Sequence, residues 1–443
     1  MGADVKPPSS SVWEHRRFAE LCLEKAQGPG ISGKLYDRNG NVAILRTTDI
    51  SADGRIDLSH MARARIDLDR LQSHILKAGD LVITRSGRVG TAALFNGFEI
   101  PVIPAGYSTR FRLNESADPR FYRYFFNSSS GQHALKSRAV GSVQQNLAGT
   151  AILDMDVPVP PLPEQRAIAR VLGSLDDKIE LNRRMNQTLE EICRALFKFW
   201  FVDFGPVRAK AEGRWKKGES LPGMPADMWD LWPREFEESE IGGIPKGWAV
   251  RGLLEIATLH SGGTPTTSER SYWGGGIPWV SGKDVSSAKG SFLLRTERTV
   301  SDKGIAHSHT SPLPARTVVI TARGTVGALA ILAMPMCISQ TNYGLKAANG
   351  APDSFLRFAV EGAVEGLQQE SYGTIFDTIT TKNLSATQVV LPAPPVLAAF
   401  ADRTDPLMNG VLMNLRLIET LTEARDTLLP KLLSGEIRVK VDS

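Results

Sequence analysis

A short segment that ends in hydrogen-bond donors occurs twice in this chain. Leu81–Leu94 aligns without gaps on Val318–Ile331, at an offset of 237, and seven of the 14 aligned positions are identical. Each copy has a β-branched run, a threonine and a Gly-x-x-Gly turn, which is typical of a strand that ends in a tight turn. Glycine lets a backbone approach a phosphate closely, and arginine can donate two hydrogen bonds to guanine. The segment therefore indicates recognition chemistry, present in two places.

The polar residues of this turn are exchanged between the copies, whereas the glycines and most of the apolar residues are kept. The exchanged pairs are Arg85 and Ala322, Ser86 and Arg323, and Arg88 and Thr325. Two readers of different sequences would show this pattern, and neutral drift of a surface explains it equally well from this segment alone. With weaker polar positions elsewhere, the candidate ligand-contacting residues are Arg46, Thr84, Arg85, Ser86, Arg88, Tyr107, Arg110, Gln144, Gln145, Lys283, Thr321, Arg323, Thr325, Gln340, Asn342 and Tyr343.

Signatures of catalysis are absent from the sequence. A methyltransferase that acts on DNA amino groups carries an Asn/Asp-Pro-Pro-Tyr/Phe tetrapeptide, which no Pro-Pro pair here fits. A restriction-type nuclease needs Pro-Asp and then Asp/Glu-x-Lys, and Pro352-Asp353 supplies only the first half. Gly28–Gly33 has the letters of a dinucleotide loop, but Phe18–Gln27 looks helical, and such a loop follows a strand. The sequence thus predicts no catalytic residue.

Echoes of the duplication flank the repeated segment in the same order. Ile44–Ile50 resembles Trp279–Val285, Asn146-Leu147 matches Asn383-Leu384, and a Pro-Pro pair closes each block. Both blocks are rich in short β-branched runs and Gly or Asn turns, so we predict two mostly β domains related by an internal repeat. Some helix is predicted within each block, over 119–126 and 354–367.

After each Pro-Pro pair the hydrophobic period changes to alternating steps of four and three residues, the seam of a coiled coil. The predicted seam positions are Ile168, Leu172, Leu175, Ile179, Asn182, Asn186, Leu189, Cys193, Leu196 and Trp200, and then Leu407, Val411, Asn414, Ile418, Leu421, Arg425, Leu428 and Leu432. We predict two long helices in one antiparallel pair, with a late start or break at Pro406, a kink at Pro430 and a C-cap at Gly435. The alternative is that each helix packs on its own domain.

The predicted fold class is α+β: two mostly β domains separated by two long antiparallel coiled-coil helices, with a pseudo-twofold internal repeat. The predicted segments are a β domain over 1–160, a helix over 161–204, an irregular linker over 205–247, a β domain over 248–394, and a helix with the C-terminal tail over 395–443.

The composition is that of an ordinary globular protein. The 443 residues are 42% hydrophobic and 23% charged, and the net charge of +4 is mild. Three widely spaced cysteines predict neither a disulfide framework nor a four-thiolate zinc site, and His307 and His309 lack a third ligand, so no metal site is predicted. The longest apolar stretch, Val326–Ile338, is too short to cross a bilayer. We expect a soluble cytoplasmic protein that has no membrane partner.

Several motifs, in the same order, resemble those of type I restriction–modification specificity (S) subunits. Pro161–Ala169 with Leu175–Asn182 resembles the first conserved region of that family, and Leu428–Ile437 resembles the C-terminal one. Phe197–Lys210 is similar to the family's helix exit. The entry and opening of a target-recognition domain resemble Ile244–Trp248, Thr264-Pro265, Tyr272–Gly275, Ile277–Trp279 and Lys283-Asp284.

The resemblance implies a fold and a function. The two β domains would be target-recognition domains, each binding one half of a split, asymmetric site in double-stranded DNA. The helices would space these domains and dock two methyltransferase (M) subunits, which restriction (R) subunits join. The complex would methylate adenine or cleave DNA. S-adenosylmethionine, ATP and magnesium would be used by the partner subunits, and no cofactor is expected on this chain.

Two other functions remain open from the sequence. The first is a self-sufficient DNA methyltransferase or nuclease with built-in recognition domains, against which the missing catalytic motifs argue. The second is a coiled-coil scaffold that does not bind DNA. Assay of the isolated chain with DNA, magnesium and cofactor tests the first, and a DNA shift assay at two salt concentrations tests the second.

Overall fold

The chain divides into two compact units in a computed structural model that describes residues 13–141, 145–289, 291–370 and 378–440, without the side chains of 369 and 370. Unit 1 is Met1–Ile179 with Thr420–Ser443, and unit 2 is Glu180–Glu419. Each unit therefore contains one β-rich part and one stretch from each of two long helices.

The described residues of unit 1 form nine strands and three short α-helices, together with segments of both long helices. In chain order the elements are β1 Glu14–Arg17, β2 Cys22–Gln27, β3 Val42–Leu45, β4 Ala62–Ala64, β5 Leu81–Thr84, β6 Ala92–Leu94, β7 Val102–Pro104, β8 Ser108–Leu113, α1 Pro119–Asn127, α2 Ser129–Lys136, α3 Gly149–Leu153, β9 Asp156–Val159 and the long α4 Leu162–Phe197. The helix predicted over 119–126 is confirmed by α1.

Unit 2 holds the remaining elements. They are α5 Gly205–Ala211, β10 Phe236–Ser239, β11 Gly242–Pro245, β12 Ala249–Gly252, β13 Ala257–Ser261, β14 Trp273–Val280, α6 Gly282–Ala288, β15 Phe292–Leu293, β16 Arg298–Val300, α7 Asp302–Ala306, β17 Val318–Thr321, β18 Leu329–Leu332, β19 Cys337–Ile338, β20 Asn342–Ala347, α8 Asp353–Glu370, α9 Thr381–Ala386, β21 Gln388–Leu391 and the long α10 Pro394–Ser434, whose last turns belong to unit 1. The helix predicted over 354–367 is confirmed by α8.

The sheets of the two units have the same topology. Unit 1 has a sheet ordered β2-β8-β5-β6, a smaller sheet β4-β3-β7 and the pair β1-β9. Unit 2 has β13-β20-β17-β18, extended by β15, then β16-β14-β19 and the pair β12-β21. In both small sheets one pair is antiparallel and the other is parallel. The predicted internal repeat is therefore confirmed at the level of strand order.

The repeated segment is the same strand pair in both units. Leu81 pairs with Leu94 in one unit, and Val318 pairs with Ile331 in the other. All four residues of β5 and of β17 are buried, and successive side chains join different apolar clusters on the two faces of the sheet. Burial on both faces explains the uninterrupted apolar run in the sequence.

One flanking echo is real and one is not. Asp49 and Asp284, in the first echo, both accept a hydrogen bond from the backbone N–H three residues before them, at 2.9 and 2.8 Å. Asn146-Leu147, in contrast, lies before α3, whereas Asn383 lies inside α9. The backbone N–H that takes the place of the Leu147 N–H in unit 2 is that of Ile379, so the second match is a coincidence of letters.

The long helices have the predicted seam. In α4 and the π-helical turn after it, Lys198–Val202, every predicted seam position is buried or half-buried, and Leu181, Met185 and Ile192 beside the seam are exposed. Within unit 1, Asp176 of α4 pairs with Arg425 of α10 at 2.9 Å. Within unit 2, Asn186 bonds Asn414 at 2.8 Å and Cys193 Sγ lies 4.0 Å from the Thr404 carbonyl oxygen. In unit 2 the later residue of α4 meets the earlier residue of α10, which makes this segment antiparallel.

The expected late start or break at Pro406 is wrong. Helix α10 begins at Pro394 and is continuous through Pro406 and Pro430 to Ser434, where Gly435 adopts φ +75° as the predicted C-cap. A proline removes one backbone hydrogen bond and does not forbid a helix whose side chains are well buried. Phe400 and Thr404, both fully buried, extend the seam by two positions that the sequence pattern missed.

Two further expectations are corrected. Segment 205–247 is not irregular throughout, because it forms α5 and the β10–β11 hairpin and buries Trp215 and Trp232. Buried Lys210 there donates from Nζ to the carbonyl oxygens of Trp229 and Trp232, and burial lowers the pKa of Lys210. Phe18–Gln27 is a short 3-10 turn followed by β2, not a helix, because Cys22–Gln27 pairs with β8 in the sheet. A strand therefore does precede Gly28–Gly33, but only a three-residue 3-10 turn, Gly33–Leu35, follows it, so the long helix of a dinucleotide site is missing there.

Candidate nucleic-acid interface

The turn after β5 in unit 1 is held by its own threonine. Thr84 Oγ1 donates to the Arg88 carbonyl oxygen and accepts from the Thr91 N–H at 3.0 Å. Gly87 and Gly90 adopt φ of +76° and +87°, which an L side chain rarely adopts. These hydrogen bonds hold the turn, and because Thr84 is only 1% exposed, it is not accessible to a ligand.

The turn after β17 in unit 2 is the same structure. Thr321 Oγ1 donates to the Thr325 carbonyl oxygen and accepts from the Ala328 N–H at 2.9 Å, and Gly324 and Gly327 again have positive φ. Thr321 is fully buried. The identical threonines of the repeat are thus scaffold, and their prediction as ligand contacts is corrected for the same reason in both units.

Between the fixed ends of the turn, the two units present different side chains. In unit 1, Arg85 is half-exposed with its Nε 3.2 Å from Asn146 Oδ1, Ser86 is buried, and Arg88 is exposed. The residues of unit 2 at these three positions are Ala322, which is buried, Arg323, which is exposed, and Thr325, which is exposed with its hydroxyl 2.6 Å from that of Ser286. Unit 1 therefore offers two arginines on this turn and unit 2 offers one, at a different position.

Arg110 is an interior residue and is removed from the candidate contacts. Its guanidinium is 2% exposed and donates to Glu24 at 2.9 Å and to the Ser73 carbonyl oxygen at 3.1 Å, with Asp80 at 3.8 Å. The hydrogen bond from Arg110 holds the pKa of Glu24 below its usual value. Because the side chain is buried and engaged within the unit, it is not accessible to a ligand.

The remaining candidates of unit 1 are spread over the ends of its strands. Tyr107, whose carbonyl oxygen accepts from the Arg85 N–H at 2.8 Å, is 62% exposed. Gln145 is exposed, whereas Gln144 lies outside the described residues. Arg46 is half-exposed but is held by Asp49 at 2.7 Å, and the hydrogen bond that Arg46 donates to Asp49 raises the pKa of Arg46.

The remaining candidates of unit 2 differ in accessibility. Lys283 is exposed and paired with Glu297 at 2.6 Å, and this hydrogen bond raises the pKa of the lysine. Gln340 is exposed, and Tyr343 is half-buried against the apolar core. Asn342 is 1% exposed and donates to the Val280 carbonyl oxygen at 3.0 Å, so it is not accessible to a ligand.

In both units, accessible donors therefore lie on the turn that ends the central strand, at different positions. Sequence reasoning missed Asn146, which bonds Arg85, and Val140, which is 78% exposed and pairs with Asn146 in a backbone bridge. The residue spacing gave no signal for the contact between Arg85 and Asn146, because the two residues are 61 positions apart. An interface of this kind, with arginine, amide and aromatic donors, suits phosphates and base edges.

The described part of the chain shows neither a metal-ligand cluster nor a membrane-spanning helix. No three His, Cys, Asp or Glu side chains there lie close enough together to hold a metal ion. No helix in the same residues is both long and apolar enough to cross a membrane.

The sequence matches the type I restriction modification DNA specificity domain over residues 10–191 and again over 245–409. The chain belongs to this specificity family. It is 27% identical over 323 residues to the type I restriction enzyme HindI specificity subunit of Haemophilus influenzae, covering 65% of this chain and 70% of that one. It is 23% identical to the putative MjaX specificity subunit of Methanocaldococcus jannaschii, covering 97% of this chain and 94% of that one.

The fold is also that of a solved member of the family. The crystal structure of the S subunit of the type I restriction–modification system from M. genitalium matches with a TM-score of 0.58 and 15% identity, over 98% of this chain and 99% of that one. The predicted class, two mostly β domains with long helices between them in the chain, is confirmed. Both matched stretches of the specificity domain begin in a β domain and end in a long helix.

Proposed function

We propose that this chain reads a bipartite, asymmetric DNA target, with one half-site bound by each unit. The observation that supports this most directly is the repeated turn: its threonine, its glycines and its strand are the same in both units, while its accessible donors differ. Contacts with phosphates position a protein on DNA, and contacts with base edges specify the sequence. Two equal scaffolds with unequal donors suit two half-sites of unlike sequence.

The candidate DNA-contacting residues are the exposed ones, together with Arg85, which is half-exposed and lies on the repeated turn itself. They are Arg85, Arg88, Tyr107 and Gln145 of unit 1, and Lys283, Arg323, Thr325 and Gln340 of unit 2. Arg46 and Tyr343 are half-exposed and remain weaker candidates. Half of the eight are arginine or lysine, which suit both phosphates and base edges, and the others are neutral hydrogen-bonding residues.

The partners would be two M subunits and, for cleavage, R subunits. The helical segments of unit 2 leave a second apolar stripe in solvent: Leu181, Met185 and Ile192 of α4 are 58%, 43% and 43% exposed, and Met413 and Leu417 of α10 are 64% and 45% exposed. Residues spaced by four and seven share one face of a helix, which suits an apolar helix of a partner. We propose that an M subunit docks on this stripe.

The chain itself would be non-catalytic and would bind no cofactor. S-adenosylmethionine, ATP and magnesium would be used by the partner subunits, in the cytoplasm, where the DNA is. The isolated chain, incubated with DNA, magnesium, ATP and S-adenosylmethionine, is expected to show neither cleavage nor methyl transfer. Turnover by the pure chain would favour a self-sufficient enzyme instead.

The experiment that tests this function is selection from a random DNA pool. The chain in complex with its M subunit is expected to retain molecules that share two short conserved blocks at a fixed separation, and adenine methylation is expected within them. Because phosphate contacts release counterions, affinity should fall as salt is raised. Leu181→Glu should abolish recovery of the M subunit, while Gln187→Glu, at an exposed polar position on another face of the same helix, should not. Selection of no sequence would contradict the function.

A further inference from the structure

The backbone of Arg85 is fixed on both sides at the end of the central sheet of unit 1. Its N–H donates to the Tyr107 carbonyl oxygen at 2.8 Å, and its own carbonyl oxygen accepts from the Leu147 N–H at 2.9 Å. The turn that follows is closed by Thr84. The point from which the arginine side chain leaves the backbone is therefore rigid, as a specific contact requires.

The guanidinium of Arg85 is held from one edge only. Nε donates to Asn146 Oδ1 at 3.2 Å, and among the described residues no other side chain bonds this guanidinium. With Nε engaged, the two terminal nitrogens form a planar pair of donors that points away from Asn146. Guanine presents two acceptors, O6 and N7, to such a pair in the major groove.

Asn146 is itself carried on fixed backbone. Its N–H donates to the Val140 carbonyl oxygen at 2.8 Å, and its carbonyl oxygen accepts from the Val140 N–H at 2.9 Å. The side-chain amide takes no part in this bridge. Its replacement should leave the local backbone intact and remove only the hydrogen bond to Arg85.

Unit 2 has the same backbone arrangement without the arginine. Ala322 N–H donates to the Thr341 carbonyl oxygen at 2.8 Å, and the Ala322 carbonyl oxygen accepts from the Ile379 N–H at 3.0 Å. Ala322 is buried and has no donor to offer. This position of the turn therefore carries a polar side chain only in unit 1.

We propose that Arg85 contacts a guanine of the half-site bound by unit 1 through its terminal nitrogens, and that Asn146 is the positioning residue that orients the guanidinium for this contact. The proposal rests on the proposed function, since it names a base within that target. It adds Asn146, a residue that bonds no DNA itself, to those that determine specificity.

The test replaces guanine by 7-deazaguanine, which lacks the N7 acceptor, at each guanine of the selected target in turn. The wild-type complex should lose about tenfold in affinity at one guanine. Arg85→Ala should lose about 10- to 100-fold on the natural target and become insensitive to the analogue at that guanine. Asn146→Ala should lose about 2- to 10-fold, with reduced sensitivity there, and should add nothing to Arg85→Ala.

Three controls separate positioning from a structural role. Asn146→Asp keeps an acceptor oxygen for Arg85 Nε and should restore the sensitivity to 7-deazaguanine. Arg88→Ala, on the same turn, should lower affinity for the natural and the modified target equally, as loss of a phosphate contact does. The melting temperature of each variant should stay within about 2 °C of the wild type, because these side chains are not buried.

The outcomes that overturn the proposal are distinct from failure of the proposed function. If the complex selects a bipartite target and Arg85→Ala keeps the sensitivity at every guanine, Arg85 does not contact guanine. If Arg85→Ala behaves as expected but Asn146→Ala equals the wild type, Asn146 has no positioning role. If the complex selects no sequence at all, the proposed function fails and this contact fails with it.

Discussion

The two units stabilise the helix pair by different chemistry, although their sheets are the same. In unit 1, Asp176 of α4 accepts hydrogen bonds from Arg425 at 2.9 Å, from Tyr124 at 2.7 Å and from Arg123 at 3.4 Å. In unit 2, the seam holds an amide pair, in which Asn414 donates to Asn186 Oδ1 at 2.8 Å and Asn186 donates to the Val411 carbonyl oxygen at 3.3 Å. The contact between the two helices is thus an ion pair in unit 1, the ionic crossing, and an amide pair in unit 2, the neutral crossing.

An alignment of the two helices from their first residues, Leu162 and Pro394, makes the difference specific. Asp176 then occupies the position of Met408, and Cys193 occupies that of Arg425. Both members of the ion pair in unit 1 thus correspond to apolar residues in unit 2. Both helices therefore have the same seam period, but the polar residues that fix the register differ between them.

Polar residues on an apolar seam lower stability but restrict which registers are acceptable. The buried ion pair must also overcome the cost of removing its charges from water, so breaking it is more harmful than replacing it entirely. For Arg425, burial alone would lower the pKa, but the hydrogen bonds to Asp176 and Asp426 outweigh it and raise the pKa. The ionic crossing should therefore be the more sensitive of the two to a single substitution.

The largest expected effect is that of Asp176→Ala. It leaves Arg123 and Arg425, both mostly buried, without their shared carboxylate, which should lower the free energy of unfolding by about 3 kcal/mol. Urea unfolding measures the loss, and hydrogen exchange should place it in unit 1. The control Asp177→Ala changes an exposed neighbour and should cost less than about 0.5 kcal/mol. An equal loss of protection in unit 2 would show that the two crossings are not independent.

A smaller effect is expected at the amide pair. Asn186→Leu leaves the Asn414 amide without its acceptor and should cost about 1 kcal/mol, whereas the double substitution Asn186→Leu with Asn414→Leu should be neutral or stabilising. The measurement is urea unfolding of both single variants and the double variant, read as a cycle. The matching double substitution in unit 1, Asp176→Leu with Arg425→Leu, should remain destabilising, because Arg123 and Tyr124 would still lose the carboxylate to which they donate. If the two double variants change the free energy of unfolding equally, the ionic and neutral crossings do not differ in their contribution to stability.

The repeat and the helix seam were predictable from the sequence because burial follows a simple period. The strand Leu81–Thr84 is buried on both faces, so it reads as an apolar run, and the seam positions recur at steps of four and three. The hydrophobic period failed at the start of α10, because Thr404 is polar and yet is a fully buried seam residue.

The accessible part of the candidate interface was much less predictable. Thr84 and Thr321 look like surface donors in the sequence, but their hydroxyl groups bond the backbone of their own turn. Arg110 looks like a DNA contact, but carboxylates distant in sequence surround it. Asn146 showed no sign of its role, because its partner Arg85 is brought to it only by the fold. The type of a polar residue determines which hydrogen bonds it can make, but the fold determines the partner with which it makes them.

The smallest expected effect concerns the second arginine and contrasts with the first. Arg323 is exposed, and within the described residues no side chain accepts a hydrogen bond from it, whereas Arg85 has Asn146. A side chain that is not pre-oriented loses more conformational freedom when it binds, so its net contribution is smaller. Arg323→Ala should therefore weaken DNA binding by about fivefold, at the low end for an arginine that contacts a base.

The readout for Arg323→Ala is selection from a random DNA pool, compared with Arg85→Ala in the same complex. Arg323→Ala should relax one position of the half-site bound by unit 2 and leave the other half-site unchanged, and Arg85→Ala should do the reverse with a larger loss. Lys289→Ala, an exposed cation of the same unit outside the turn, serves as the control and should relax neither half-site. If Arg323→Ala relaxed both half-sites, or exceeded Arg85→Ala in its effect, pre-orientation would not be what distinguishes the two readers.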